Sequence, residues 1–200
     1  IVTQGNQGAT LYNSRSDKIF FCPAFALKVV DKVGAGDSML SLLSLSLKNN
    51  YDYLITMDAD NSHDPIEIKN ILSNLENYPF VIGSRYIENG QCLMRGRRLI
   101  MSKYGNLLMK FLLRIDCNEY TTSYRGFNIK KLKNFHLNKI KTKGYSFFMG
   151  TIAEISRMNF EIKEIPIIFK DRLKGYSKIP KFEIIRTLKN LIILSLQSRK

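Results

Sequence analysis

The chain has 200 residues, 44% of them hydrophobic, which is enough to bury a real core and too many for a disordered polymer. Its formal net charge of +14 favours an acidic partner: nucleic acid, anionic lipid or a phosphorylated substrate. The three cysteines, Cys22, Cys92 and Cys117, are scattered with no CxxC pair, which argues against a zinc site or disulfide framework and makes a reducing compartment the expectation. The start carries no secretory-signal pattern, and no apolar run approaches the ~20 residues needed to span a bilayer. Because the chain begins with Ile1, a fragment, a processed product or a trimmed sequence is expected.

In chain order, extended runs at Ala9–Tyr12 and Lys18–Phe21 flank a polar turn and predict a hairpin. Ala26–Val30 reads as extended, Val33-Gly34-Ala35-Gly36-Asp37 as a glycine turn, and Ser38–Leu47 as an apolar helix. From Tyr51 the texture changes. Tyr53–Met57 predicts a buried strand ending in acids, Pro65–Leu75 a helix with proline in its first turn, and Phe80–Ile82 a short strand. Leu99–Leu113 predicts a helix, Tyr124–Ile129 a strand, Phe147–Met158 a helix and Phe160–Phe169 a strand that contains Pro166. Pro180–Leu196 predicts a last amphipathic helix. Strands alternating with helices argue an α/β fold. Neither an internal repeat nor a low-complexity tract interrupts the pattern.

Asp58-Ala59-Asp60 stands at the carboxyl end of the apolar strand, where open α/β sheets bind their ligands. Two carboxylates one residue apart suit a hard divalent cation, Mg²⁺ or Mn²⁺, shared with substrate phosphates. The alternative is a solvated turn in which Asp64, before Pro65, acts as a helix N-cap.

The longer run Met57-Asp58-Ala59-Asp60-Asn61-Ser62-His63-Asp64-Pro65 resembles the signature of dolichol-phosphate mannosyltransferase-like enzymes of glycosyltransferase family 2. The resemblance continues in order. It takes in Gly83-Ser84-Arg85-Tyr86, Gly90, Arg98 with Ser102 and Asn106, and Thr121-Thr122-Ser123-Tyr124-Arg125. Gly144-Tyr145, Phe147, Glu164-Ile165-Pro166-Ile167, Phe169, Asp171-Arg172, Gly175 and Ser177-Lys178 complete it. This likeness implies a GT-A-like, Rossmann-like sheet with flanking helices. It implies inverting transfer of a sugar from a nucleotide-sugar donor to a polyprenyl-phosphate acceptor. Asp58 and Asp60 would hold the metal, with Asp60, Arg125 and Arg172 as catalytic groups. Arg85, Arg98, Ser123 and Lys178 would contact donor or phosphate, Arg as a fork and Lys as a point charge. Such enzymes open with a strand and loop for the nucleotide base, and that half is not found before residue 51.

Several positions depart from the pattern. The expected Gln and Glu after Gly144-Tyr145 are Phe148 and Gly150, the usual Trp is Met94, and Glu119 stands where Asp is usual. Glu154, one turn on from Gly150, is the candidate replacement carboxylate.

The first fifty residues resemble something else. Val29-Val30-Asp31-Lys32-Val33-Gly34-Ala35-Gly36-Asp37-Ser38-Met39 is similar to the signature of ribokinase-type (PfkB) sugar kinases, with Thr3-Gln4-Gly5, Gly8-Ala9 and Pro23-Ala24-Phe25 upstream. There Gly34 and Gly36 would shape an anion hole and Asp37 would be the base. Only a tail of such a kinase is present, so kinase activity is not expected. The division read from these likenesses is 1–50 kinase-like and 51–200 transferase-like.

A lipid-phosphate acceptor requires a membrane surface. The helices at 99–113 and 180–196 carry Lys and Arg and suit interfacial docking, which makes a cytoplasmic protein peripheral to the inner face of a membrane the expectation. With no RNP-like aromatic motif and no zinc-finger spacing, nucleic acid is not an expected partner.

Overall fold

The computed structural model describes residues 2–3, 9–13, 18–22, 46, 51–58, 60–133, 135, 140–142, 144, 146–171 and 181–197. Its strands are β1 (Val2–Thr3), β2 (Ala9–Asn13), β3 (Lys18–Cys22), β4 (Tyr53–Thr56), β5 (Phe80–Ser84), β6 (Gln91–Cys92), β7 (Arg125–Asn128), β8 (Ile162–Pro166) and β9 (Ile168–Phe169). Its helices are α1 (Glu67–Leu75), α2 (Gly96–Leu113), α3 (Ser146–Arg157) and α4 (Lys181–Gln197).

The expected hairpin is present as β2 and β3, antiparallel, with Thr10 opposite Phe21 and β1 added on the far side of β2. The extended run at 26–30, the glycine turn with Gly34, Gly36 and Asp37, and all but Ser46 of the helix at 38–47 lie outside the described residues. Ser46 is helical and buried.

The larger part is a mixed α/β sheet in the order β4-β7-β5-β8. β7 runs antiparallel to both neighbours, and β5 pairs parallel with β8. Every residue of β5 is buried, as a strand covered on both faces requires. Its side chains alternate between two cores. Phe80 and Ile82 join Phe127, Met109, Leu113, Phe147, Ile152 and Leu191 on the face covered by α2, α3 and α4. Val81 joins Ile71, Leu75, Tyr124 and Ile165 on the face covered by α1. Gly126 is what lets α1 lie so close: a Cβ there would stand 2.5 Å from Ile71 Cγ2 and 2.8 Å from Leu75 Cδ1.

The strand predicted over 160–169 is two strands. β8 follows β5 as far as Pro166, which is tolerated because β8 ends the sheet's order among the described residues. Ile167 then turns, donating its N–H to the Ser84 carbonyl, and β9 pairs parallel with β6. This small second sheet and the N–H of Lys170, which donates to the Ser62 carbonyl at 3.0 Å, bring 168–171 beside the acidic end of β4.

Both long helices depart from the expected pattern. α2 buries Asn106, Met109 and Leu113, but Ile100, Met101, Tyr104, Leu107, Leu108 and Phe111 face outward. In α4, Leu191, Glu183 and Ser195 are buried, whereas Phe182, Ile185, Leu188, Ile192 and Leu196 are exposed. The outward residues recur at helical spacing, so each helix carries an apolar stripe on its solvent side as well as a core-facing one. Among the described residues no helix is long and apolar enough to cross a membrane.

Candidate active site

β4 delivers Asp58 and Asp60 to the carboxyl edge of the sheet. Thr56, two residues before Asp58, donates its hydroxyl to the Ser123 carbonyl at 2.6 Å, which fastens the strand end to the loop ahead of β7. Asp60 Oδ1 accepts from the Ser62 N–H at 3.0 Å, and Asn61 between them has φ of 63° in the left-handed region that Asn tolerates. Asp64 closes the turn: its carboxylate accepts from the Ile66 N–H at 3.2 Å and pairs with Lys170 Nζ at 3.0 Å, while Tyr124 donates its hydroxyl to the Asp64 carbonyl. Asp64 is not the helix N-cap foreseen for it: Ile66 holds that position with no side-chain cap, and Asp64 instead closes the turn ahead of α1. The Lys170 and Ile66 hydrogen bonds hold the Asp64 carboxyl below the usual carboxylate range.

His63 is buried within this turn, its ring 4.9 Å from Tyr124 and 5.3 Å from Phe169. Burial lowers its pKa despite the nearby Asp58 and Asp60, so it is neutral at pH 7.

The arginines behave differently from surface cations. Arg85 is buried and grips Glu119 with both arms, Nε to Oε2 at 2.6 Å and Nη2 to Oε1 at 2.7 Å, and its guanidinium lies 4.8 Å from the Phe169 ring. Burial opposes both charges, and each partner outweighs it: Glu119 is held well below the usual carboxylate range, and Arg85 is raised. Glu119 also accepts from the Thr121 and Thr122 N–H groups. Arg125 is fully buried and, among the described residues, has no carboxylate in contact. Its Nε, Nη1 and Nη2 donate to the carbonyls of Thr122, Phe148 and Tyr120 at 2.8, 2.7 and 3.0 Å. Burial pulls it down to about 9, which still leaves it charged at neutral pH. Both guanidiniums hold the 119–125 loop, which stands against the acidic strand end, and Arg85 also lines the cleft beside α2.

Arg98, at the start of α2, is exposed and pairs with Asp171 at 2.8 Å, so α2 reaches the same edge of the sheet. Ser123 Oγ is buried with no partner among the described residues, as is Ser62 Oγ. Arg172 and Lys178 lie outside the described residues. A cleft of about 400 Å³ lies between the 85–90 loop and α2, lined in part by Tyr86, Lys103, Asn106, Leu107 and Lys110. Tyr86 donates its hydroxyl to Ser102 Oγ at 2.7 Å, and burial raises its pKa to about 12.

Among the described residues no group of three or more His, Cys, Asp or Glu is placed to hold a metal ion. A divalent cation at Asp58 and Asp60 would need its remaining ligands from substrate phosphates and water. Both nitrogens of His63 are already engaged.

The departures also have positions. Thr142 Oγ1 fills the space that a side chain at Gly150 would need, with Ile140 Cγ2 behind it. Glu154, one turn on, is buried and pairs through both oxygens with Arg157, at 2.7 and 2.8 Å. Met94 is buried. The sequence reading missed the Arg85–Glu119 pair; the only signal was an acid set between Cys117 and Tyr120, both buried here.

Two family patterns match the chain: pfkB family carbohydrate kinase over residues 1–56, and glycosyl transferase family 2 over residues 47–135. The polyprenol monophosphomannose synthase of Mycolicibacterium smegmatis is 33% identical over 150 residues, covering 74% of this chain and 57% of that protein. The undecaprenyl-phosphate mannosyltransferase of Micrococcus luteus is 31% identical over 149 residues, covering 74% and 61%. The chain thus spans less than two thirds of these curated relatives. The mixed sheet with helices on both faces agrees with the GT-A-like fold expected for a family 2 transferase. The kinase and transferase matches overlap over 47–56, which includes β4.

Proposed function

We propose that the chain serves inverting transfer of a sugar, mannose by the names of its relatives, from a nucleotide donor to a polyprenyl phosphate. The observation that carries this reading is the pair Asp58 and Asp60 at the carboxyl end of β4, inside the family 2 segment and braced by a buried polar scaffold. Asp58 and Asp60 would hold a Mg²⁺ or Mn²⁺ ion, which would supply charge neutralisation for the leaving diphosphate. The acceptor is a phosphate monoester whose second pKa is roughly 6, so it is anionic at pH 7 and attacks without a dedicated base. An acceptor oxygen bonds to the anomeric carbon as the bond to the diphosphate breaks, inverting that centre. The protein's share is positioning and electrostatics. Arg98, together with Arg172 and Lys178, which follow its partner Asp171 in sequence, is the cationic set offered to phosphate, while Arg85 and Arg125 shape the loop that carries Ser123.

The membrane reading has its own support. The outward stripes of α2 and α4 are flanked by Arg95, Arg97, Lys103, Arg114 and Lys189, a composition that suits an anionic lipid surface. Arg98 ties the start of α2 to Asp171, so docking on that face would bring a lipid-borne phosphate to the acidic edge. On this basis we propose a peripheral position at the inner, cytoplasmic surface, with the change from kinase-like to transferase-like sequence between 1–50 and 51–200.

A second reading is favoured by one observation. The packing of Thr142 against Gly150 leaves no room for the carboxylate expected there, which fits a module that binds donor or lipid phosphate without turnover. Calorimetric titration with GDP-mannose and UDP-glucose, with and without Mn²⁺, tests both. Metal-dependent binding lost in Asp58→Asn/Asp60→Asn is the expected result, and its absence at millimolar donor sinks the donor-site reading. Transfer of labelled mannose to a polyprenyl phosphate then separates turnover from binding alone.

A further inference from the structure

We infer that His63 is a positioning residue that sets the acidic strand end through a single tautomer; this rests on the metal reading of Asp58 and Asp60. The main-chain N–H of Asp58 lies 3.1 Å from His63 Nδ1. A backbone N–H can only donate, so Nδ1 carries a lone pair, and an imidazole with a bare Nδ1 carries its one proton on Nε2. Nε2 lies 3.2 Å from Thr122 Oγ1 and donates to it. Thr122 in turn donates its N–H to Glu119 Oε1 at 3.2 Å, and Glu119 is held by Arg85.

Four links therefore run from the Asp58 main chain to the buried Arg85–Glu119 pair. The ring has no freedom to flip without loss. Tyr124 and Phe169 flank it, it is 2% exposed, and a flip would replace the nitrogen facing the Asp58 N–H by a carbon. Thr122 Oγ1 is itself oriented, accepting from the Tyr124 N–H at 3.2 Å. On the near side Ser62, adjacent to His63, donates to the Asp60 carboxylate. The imidazole thus fixes the backbone that presents Asp58, and its neighbour fixes Asp60. A histidine that merely filled the core would not need this polarity, with an acceptor toward the strand end and a donor toward the loop.

Two substitutions split those roles. His63→Asn keeps an acceptor near the Nδ1 position, and His63→Gln keeps a donor near the Nε2 position. Mn²⁺ binding to the full chain in the presence of GDP, read by electron paramagnetic resonance, is the measurement. Loss of an outer-shell partner typically costs about 10–100-fold in metal affinity, so that loss is expected for His63→Gln and a much smaller one for His63→Asn. Equal affinity of folded wild type, His63→Gln and His63→Asn overturns the inference and leaves the metal reading standing. No Mn²⁺ binding by wild type removes both, whereas loss in Asp58→Asn/Asp60→Asn alone supports only the metal reading. If either histidine variant fails to fold, long-range ¹H–¹⁵N correlation on the wild-type chain decides. The Nε2–H tautomer is expected, and an Nδ1–H tautomer overturns the inference.

Discussion

Two regions of this molecule invert the ordinary distribution of polarity, in opposite directions. Behind the acidic strand end, charge is inside: Arg85, Glu119 and Arg125 are buried, and His63 is neutral between them. On α2 and α4, apolar groups are outside, with Phe111 76% and Phe182 67% exposed. Burying charge is costly unless it is paired and hydrogen-bonded, and exposing an ordered apolar stripe gains nothing in water. Neither arrangement follows from packing a stable core. The first makes a rigid loop against two carboxylates, and the second makes a surface that water does not complete.

The largest effect belongs to the buried pair. Glu119→Ala leaves Arg85 buried without its partner, and urea denaturation should show a loss of about 3–5 kcal/mol. Replacing both by apolar residues, Arg85→Met with Glu119→Leu, should cost clearly less than the single change. Arg125→Met comes next. It leaves the carbonyls of Tyr120, Thr122 and Phe148 short of a donor, and a loss of about 3 kcal/mol is expected in the same assay.

Acid sharpens the contrast further. The folded-state pKa of Glu119 lies below its unfolded value of 4.5, so between the two the unfolded chain binds more protons and stability falls as pH falls. Relative to the double apolar variant, wild type should lose up to ~1.4 kcal/mol for each pH unit below that point, with no difference in trend between pH 6 and 8. Equal pH trends for the two proteins would remove Glu119 from the folded-state charge network.

The smallest effect on stability belongs to the helices. Leu107→Glu with Phe111→Glu should change unfolding by less than about 0.5 kcal/mol per site, since both side chains already face solvent. Co-sedimentation with phosphatidylglycerol vesicles should nevertheless be largely lost. Unchanged sedimentation would break the comparison, leaving the apolar stripes without a membrane role.

The elements most legible in the sequence were those whose apolar residues recur toward one core. β5 reads as an unbroken apolar run, and α1 shows Ile71 and Leu75 at helical spacing. The place of Asp58 and Asp60 was equally plain, because an acid pair after an apolar strand marks a sheet's edge. The split at Ile167 was not legible, since it depends on β6, two residues in a loop far away in sequence. Nor was the fate of the arginines. A chain with 31 basic residues gives no local sign of which guanidinium is buried, and Arg125 owes its burial to carbonyls contributed by 120, 122 and 148. The outward stripe of α2 was hidden for a related reason. Periodicity registers that apolar residues share a face, but the side of the helix on which the protein lies is decided by tertiary packing.

The close seating of Thr142 against Gly150 orders the mutational routes open to this chain. A longer side chain at 150 is barred while Thr142 and Ile140 keep their places, so a return to a carboxylate there must be preceded by a smaller residue at 142 or a shift of 140–142. The same Glu substitution would be damaging in this background and tolerated in one already relaxed at 142. Reverting position 150 alone is thus an uninformative experiment, and a pair of changes introduced in the opposite order is the passable one.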